Sequence, residues 1–151
     1  ESMKWLNKED WEKSFELVPR VAVNLLPVKC PPTLKLWGVK KILLTRRAKP
    51  PMIGSWHMAG SFIRRGETIV ACAYRVAKEE LGTEVKKLWW GGIFDNLTGD
   101  PRGQVIDIVY WCELRDAPQV GGDTAEIGWF SKLPEGVGFG QEKELGALGV
   151  L

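Results

Sequence analysis

Apolar positions along the chain change period several times, and each change predicts an element. In KEDWEKSFELV (8–18), Trp11, Phe15 and Val18 recur at helical spacing, which predicts a short amphipathic helix. Pro19 stops it, because proline cannot supply the next backbone N–H. RVAVNLLPV (20–28) and VKKILLTRR (39–47) are apolar runs that predict strands, joined by the turn-rich CPPTLKLWG (30–38). The adjacent prolines of AKPPMIGS (48–55) predict a loop, since they cannot sustain a ladder. WHMAGSFI (56–63) reads as one short strand. Residues 68–81 carry the strongest helical pattern, with Thr68 placed to cap the start and Gly82 to close the end. KKLWWGGIFDN (86–96) and QVIDIVYWCEL (104–114) predict strands around the loop LTGDPRG (97–103), and EIGWFSKL (126–133) predicts a last strand. The glycine-rich tail, residues 137–151, has room for one helical turn. A mostly β order with one central helix and no repeat predicts a single α+β domain over residues 1–151.

Composition narrows the partners. The 151 residues suit one domain, and 44% apolar with 26% charged residues can build a core. A net charge of +2 gives no broad nucleic-acid footprint. Cys30, Cys72 and Cys112 are far apart and odd in number, which fits neither a disulfide framework nor a zinc site and points to a reducing compartment. No apolar run approaches the roughly 18 residues of a membrane span, and the N-terminus has no signal-peptide pattern. The expectation is a cytoplasmic protein with neither membrane nor nucleic acid as partner. Trp5, Trp11 and Phe15 give the first helix more apolar area than an exposed element should carry, so residues 1–18 are expected to pack across a homodimer.

The candidate chemistry lies in GSFIRRGETIVACAYRVAKEELG (60–82). At about 100° per residue, position 76 of a helix sits about 40° from Glu80 and about 60° from Glu79. Carboxylates at all three would converge on one patch suited to a hard cation, Mg²⁺ first and Mn²⁺ as the alternative. Val76 occupies one of these places, and is expected to make one wall of the site apolar. Val70, Ala73, Ala77 and Leu81 are expected to form a separate face against the sheet. The turn before the helix lets backbone approach closely, so the Gly60 carbonyl is a candidate ligand.

This segment resembles the Nudix box, G-x5-E-x7-R-E-U-x-E-E-x-G-U, where U is aliphatic. Ser61 stands at the first glycine, then Glu67, Arg75, Val76 at the next glutamate, Ala77, Glu79-Glu80, Gly82, and Thr83 at the last U. RRAKPPMIGSWHMAGS and AEIGWFSKLPE resemble the family's flanking segments. The resemblance implies a Nudix α/β/α sandwich, a mixed β-sheet with the box helix packed on it. It implies metal ligation by Glu80, Glu79, Gly60 and Asp123, and structural roles for Ser61, Glu67, Arg75 and Gly82. Glu79, Glu126 and Asp123 are its candidate general bases, in that order. Arg47 would stabilise charge on a diphosphate, which suits its planar fork.

Two branches compete. WLNKEDWEKSFELVPRVAV resembles the opening of GDP-mannose mannosyl hydrolases, which also lack the glutamate at position 76 and use a single Mg²⁺. Their glutamine ligand and histidine base correspond to Asp123 and Thr124, and a threonine is no base near neutral pH. The single histidine, His57, lies beside the box glycines instead. FDNLTGDPRGQVIDIVY resembles ADP-ribose pyrophosphatases, which makes Arg102 a substrate-binding candidate, although Asp-Pro-Arg-Gly is also simply a good turn. The reading is Mg²⁺-dependent hydrolysis of a nucleoside diphosphate linked to another moiety, a nucleotide sugar such as GDP-mannose, or ADP-ribose. Val76 and Thr124 motivate an alternative, a catalytically weak Nudix-fold binding or sensor protein. A house-cleaning nucleoside triphosphate pyrophosphatase is a further alternative.

Overall fold

The computed structural model describes residues 6–29 and 41–150. The connection expected over 30–38, the start of the strand expected from 39, Cys30 and Trp5 lie wholly or largely outside the described residues. Among these residues ten elements follow in chain order: α1 (Lys8–Leu17), β1 (Arg20–Pro27), β2 (Ile42–Arg47), β3 (Trp56–His57), β4 (Ala59–Phe62), α2 (Ile69–Leu81), β5 (Val85–Asn96), β6 (Val105–Leu114), β7 (Thr124–Phe130) and α3 (Gln141–Ala147).

The strands form two sheets. One has the order β4-β1-β6-β5, with β1 and β6 parallel and the outer pairs antiparallel. The other is antiparallel, β3-β2-β7. The single strand expected over 56–63 divides at Met58: β3 joins the second sheet and β4 the first. Both halves are extended, so their local sequence does not distinguish them; pairing with different partners does. The last strand begins at Thr124, two residues earlier than expected, and the tail holds a seven-residue helix rather than one turn.

Two apolar cores fill the layers. α2 lays Cys72, Ala73, Val76, Ala77 and Leu81 against Val23, Leu25, Leu43 and Ala59. The second core gathers Leu26, Ile42, Leu44, Met58, Val109 and Trp111 with Leu145 of α3. Helices on both sides of the sheets produce an α+β sandwich. Val70 is 44% exposed and takes no part in the core face expected of it, whereas Val76 is fully buried there. Positions 73, 77 and 81 already define a stripe, and 76 lies on the side of that stripe which faces the sheet.

α1 is capped by Asn7, whose side chain accepts from the Asp10 N–H at 2.8 Å. Its aromatic residues are covered within the chain. Trp11 and Phe15 meet Phe62 edge-on at 5.7 and 5.2 Å, and the Arg20 guanidinium stacks over all three rings within 4.8 Å. The apolar area of Trp11 and Phe15 that suggested a dimer through α1 is therefore largely satisfied inside one chain. Among the described residues no helix is long and apolar enough to cross a membrane. Cys72 and Cys112 are buried and free.

Candidate active site

Arg75 organises the box. Its guanidinium donates to both oxygens of Glu67, at 2.6 and 3.0 Å, to Ser61 Oγ at 3.0 Å, to the Phe62 carbonyl at 3.1 Å and to Glu79 at 3.2 Å. The turn before α2 is thus tied to its middle by charge-assisted bonds. Glu67 is held below the usual carboxylate range, chiefly by those bonds. Ser61, standing where the box has glycine, contributes the hydroxyl for one of them. Gly82 ends α2 at φ 61°, in the left-handed region, and Thr83 accepts the Asp116 N–H at 3.1 Å.

The last turn of α2 presents Glu80 to a cavity. The loop before β7 wraps over it: Thr124 Oγ1 donates to Glu80 at 3.3 Å, and Gly122 lies so close that a Cβ there would stand 2.7 Å from the Glu80 carboxyl carbon. A side chain there would push the Glu80 carboxylate aside, and the φ of +55° favours glycine as well. Burial, then the neighbouring Asp123 carboxylate, pushes the Glu80 carboxyl up. Two carboxylates in one partly desolvated cavity form an unfavourable pair that a cation would relieve.

One cavity of about 180 Å³ collects Gly60, Glu80, Asp123, Arg47 and Arg102, drawn from β4, α2, the loop before β7, β2 and the loop after β5. Arg47 is fixed by donating to the carbonyls of Pro51 at 2.7 Å and Pro50 at 2.9 Å, while its Nη1 keeps donors free of any partner among the described residues. Arg102 is neutralised by Asp100, which accepts from it at 2.8 and 3.0 Å. Lys49 pairs with Asp123 at 3.1 Å. Trp11 of α1 and Phe62 of β4 supply an aromatic wall.

Two candidate bases are placed elsewhere. Glu79 pairs with Arg75 and, at 3.7 Å, with Arg64; it does not line the cavity. Glu126 pairs with Arg46 at 3.4 Å and does not line it either. Successive residues on a helix point about 100° apart, so Glu79 and Glu80 part company. Val76 is also absent from the lining: it belongs to the core beneath, not to a wall of the site.

The floor holds a polar network that the sequence analysis did not single out. Asp107 of β6 accepts from Asn24 at 2.9 Å and from Asn96 at 3.0 Å, and all three are buried. Glu144 of α3 lies near Asp107, with no donor to either oxygen among the described residues. Burial and that neighbour push its carboxyl up to about 9, so it is neutral and protonated at pH 7. Met58 orients two more side chains. Its N–H donates to Gln141 Oε1 at 2.7 Å, and its carbonyl lies 2.7 Å from His57 Nδ1. That carbonyl fixes the proton on Nδ1, and burial holds the His57 ring neutral, down to about 4. The available signal was a polar residue interrupting an apolar strand, as Asn24 does in RVAVNLLPV and Asp107 in QVIDIVYW.

The two sheets thus bring a glutamate-bearing helix end and a fixed arginine together over one cavity. The NUDIX domain family matches residues 34–133 of the chain. The chain belongs to the Nudix family and is a hydrolase of that type. It is similar to the ADP-ribose pyrophosphatase of Methanocaldococcus jannaschii, 32% identical over 133 residues, covering 87% of this chain and 73% of that protein. Its fold is similar to that of a MutT NUDIX hydrolase from Burkholderia pseudomallei, with a TM-score of 0.73, 22% identity, and 85% of this chain and 97% of that chain covered. It is also similar to the NUDIX domain of Shewanella oneidensis NrtR complexed with ADP ribose, with a TM-score of 0.68, 16% identity, and 95% and 97% covered.

Proposed function

We propose that residues 1–151 form one Nudix domain that hydrolyses a nucleoside diphosphate linked to another moiety, with ADP-ribose as the first candidate and a nucleotide sugar such as GDP-mannose as the second. The observation that carries this reading is the convergence of Glu80, Asp123, Gly60 and Arg47 on one cavity. The M. jannaschii relative's name favours ADP-ribose.

A divalent cation fits the donor set. Glu80 and Asp123 supply carboxylates and Gly60 a carbonyl, while no three His, Cys, Asp or Glu side chains among the described residues could hold an ion by themselves. An ion that keeps waters and phosphate oxygens suits such a site, which favours Mg²⁺. When bound, it would supply charge neutralisation on the diphosphate. Arg47 would donate its free N–H groups to phosphate oxygens. Asp123 is the base candidate within the cavity and would accept a proton from the attacking water. The cavity is smaller than the roughly 300–1,000 Å³ of sites that enclose a small molecule, so part of the substrate would lie over its rim. The experiment is a panel of ADP-ribose, GDP-mannose and nucleoside triphosphates, assayed with and without Mg²⁺. Fastest turnover of a triphosphate, or no turnover of any member, would remove the reading.

Val76 favours a second reading, a catalytically weak binding protein. The box glutamate it replaces is absent, Glu79 and Glu126 are engaged in ion pairs outside the cavity, and Thr124 only donates to Glu80. Tight binding of ADP-ribose without turnover would identify that case. A homodimer and a cytoplasmic location remain part of the proposal. A monomeric mass in light scattering would remove the dimer.

A further inference from the structure

Glu144 is 4% exposed, and neither of its oxygens meets a donor among the described residues. It lies within hydrogen-bonding reach of Asp107, which is 3% exposed. Two buried carboxyls this close do not both ionise, so the pair holds a proton. The neighbouring amides decide where it sits. Asn96 Oδ1 accepts the Gly99 N–H at 2.8 Å and Asn96 Nδ2 donates to the Phe139 carbonyl at 2.7 Å, which fixes the orientation of that amide. The same Nδ2 donates to Asp107 Oδ2, and Asn24 Nδ2 donates to Asp107 Oδ1. Asp107 thus receives an N–H on each oxygen, the pattern of a carboxylate, and the proton belongs on Glu144. Burial favours the neutral form of Glu144 in the same direction.

The line continues to the cavity. With Asn24 Nδ2 on Asp107, Asn24 Oδ1 is turned to β4, where Gly60 is the register partner of Asn24. A Cβ at Gly60 would stand 3.1 Å from Asn24 Cγ and closer still to Oδ1, so the amide lies directly on the glycine. We propose that Glu144 and Asp107 form a proton-sharing pair that positions the cation site: Glu144 donates to Asp107, Asp107 holds the Asn24 amide, and that amide seats the Gly60 backbone whose carbonyl the ion takes. This rests on the proposed function and extends it to a residue of α3 that does not line the cavity. A glutamine at position 144 can replace the acid, because its amide N–H also donates to Asp107. An apolar side chain there cannot.

Calorimetric titration of the full chain with Mg²⁺ alone at pH 7 tests this, in the parent and in Glu144→Gln, Glu144→Met and Asn24→Ala. Infrared spectra of the four proteins report the protonated-carboxyl C=O band. Thermal melting checks that each variant is folded at the temperature of the titration. The expected Mg²⁺ affinity is within about twofold of the parent for Glu144→Gln and about tenfold weaker for Glu144→Met and Asn24→Ala, as for loss of an outer-shell partner. The parent's protonated-carboxyl band should be lost or reduced in both Glu144 variants and kept in Asn24→Ala. If Glu144→Met does not fold, Asn24→Ala carries the affinity test. Equal weakening in the two Glu144 variants, parental affinity in Asn24→Ala, or a band unchanged by Glu144→Gln overturns the positioning role. A parent that takes up no Mg²⁺ removes the proposed cation site and this role with it, whereas a parent and variants that bind it alike remove this role alone.

Discussion

Glu80 and Val76 sit four residues apart on α2, yet one faces a cavity and the other the core. Glu80→Gln keeps the shape and the Thr124 contact while removing charge, so Mg²⁺ affinity should fall by more than the roughly 10–100-fold typical of outer-shell partners. Calorimetry measures it, and an unchanged circular dichroism spectrum shows that the fold is intact. Unchanged Mg²⁺ affinity would exclude Glu80 as a ligand. Val76→Glu should not restore a box glutamate usefully. It would bury a carboxylate among Leu25, Ala59 and Leu81, at a cost on the order of 3 kcal/mol or more. Without divalent cations the melting temperature should drop by about 10 °C, and turnover at neutral pH should not rise. A variant that melts with its parent would show that position 76 reaches the cavity after all. The sequence could not separate these cases, because a 40° offset between positions 76 and 80 lets one residue lie on the edge of either face.

The elements most legible in sequence were those with a strong local signature. α2 had period, Thr68 and Gly82, and its ends fall within one residue of the expected span. The division of 56–63 between two sheets had none, because both halves are extended and only distant partners separate them. The loop before β7 shows the same limit at finer scale. Gly121-Gly122 reads as an ordinary turn, but both lie against the end of α2: a Cβ at Gly121 would stand 2.6 Å from the Glu79 carbonyl oxygen, and one at Gly122 would press on the Glu80 carboxylate that Thr124 also meets. Gly122→Ala should cost about 1–2 kcal/mol for the left-handed backbone alone. It should also displace the Glu80 carboxylate, so Mg²⁺ affinity should fall along with stability. Calorimetry together with a urea melt checks both; loss of stability with metal affinity unchanged would detach the glycine from the site.

For the molecule as a whole, the buried Glu144 links stability to pH. Its carboxyl is raised from the ordinary range to about 9 in the folded chain, so between roughly pH 4.5 and 9 the folded state holds a proton that the unfolded state has lost. The contribution is full below about 4.5 and is lost as pH rises through about 9. Stability from this group should fall by up to about 1.4 kcal/mol per pH unit across that window. Glu144→Gln removes the titrating group and should flatten the decline. Urea melts of parent and variant at pH 6 and 9 compare them, and parallel losses would rule out Glu144 as the source. The sequence could not reveal this, since nothing in a tail with room for one helical turn shows that Asp107 of β6 lies against one of its glutamates.

Arg47 and His57 belong to the second sheet and Asn24, Gly60 and Asp107 to the first, so the cavity lies on the seam between them. Apolar packing joins the two sheets, together with the chain itself, which passes from β3 to β4 through Met58, and, among the described residues, a backbone bridge between Val28 and Ile42. A ligand gripped from both sides is therefore a rivet through the joint. Separating the sheets would require pulling it out, and the work of doing so is added to the stability of the whole, about 2.7 kcal/mol when the ligand is present at a hundred times its Kd. The molecule's own melting point thus becomes a gauge of occupancy, able to rank candidate substrates without any turnover at all.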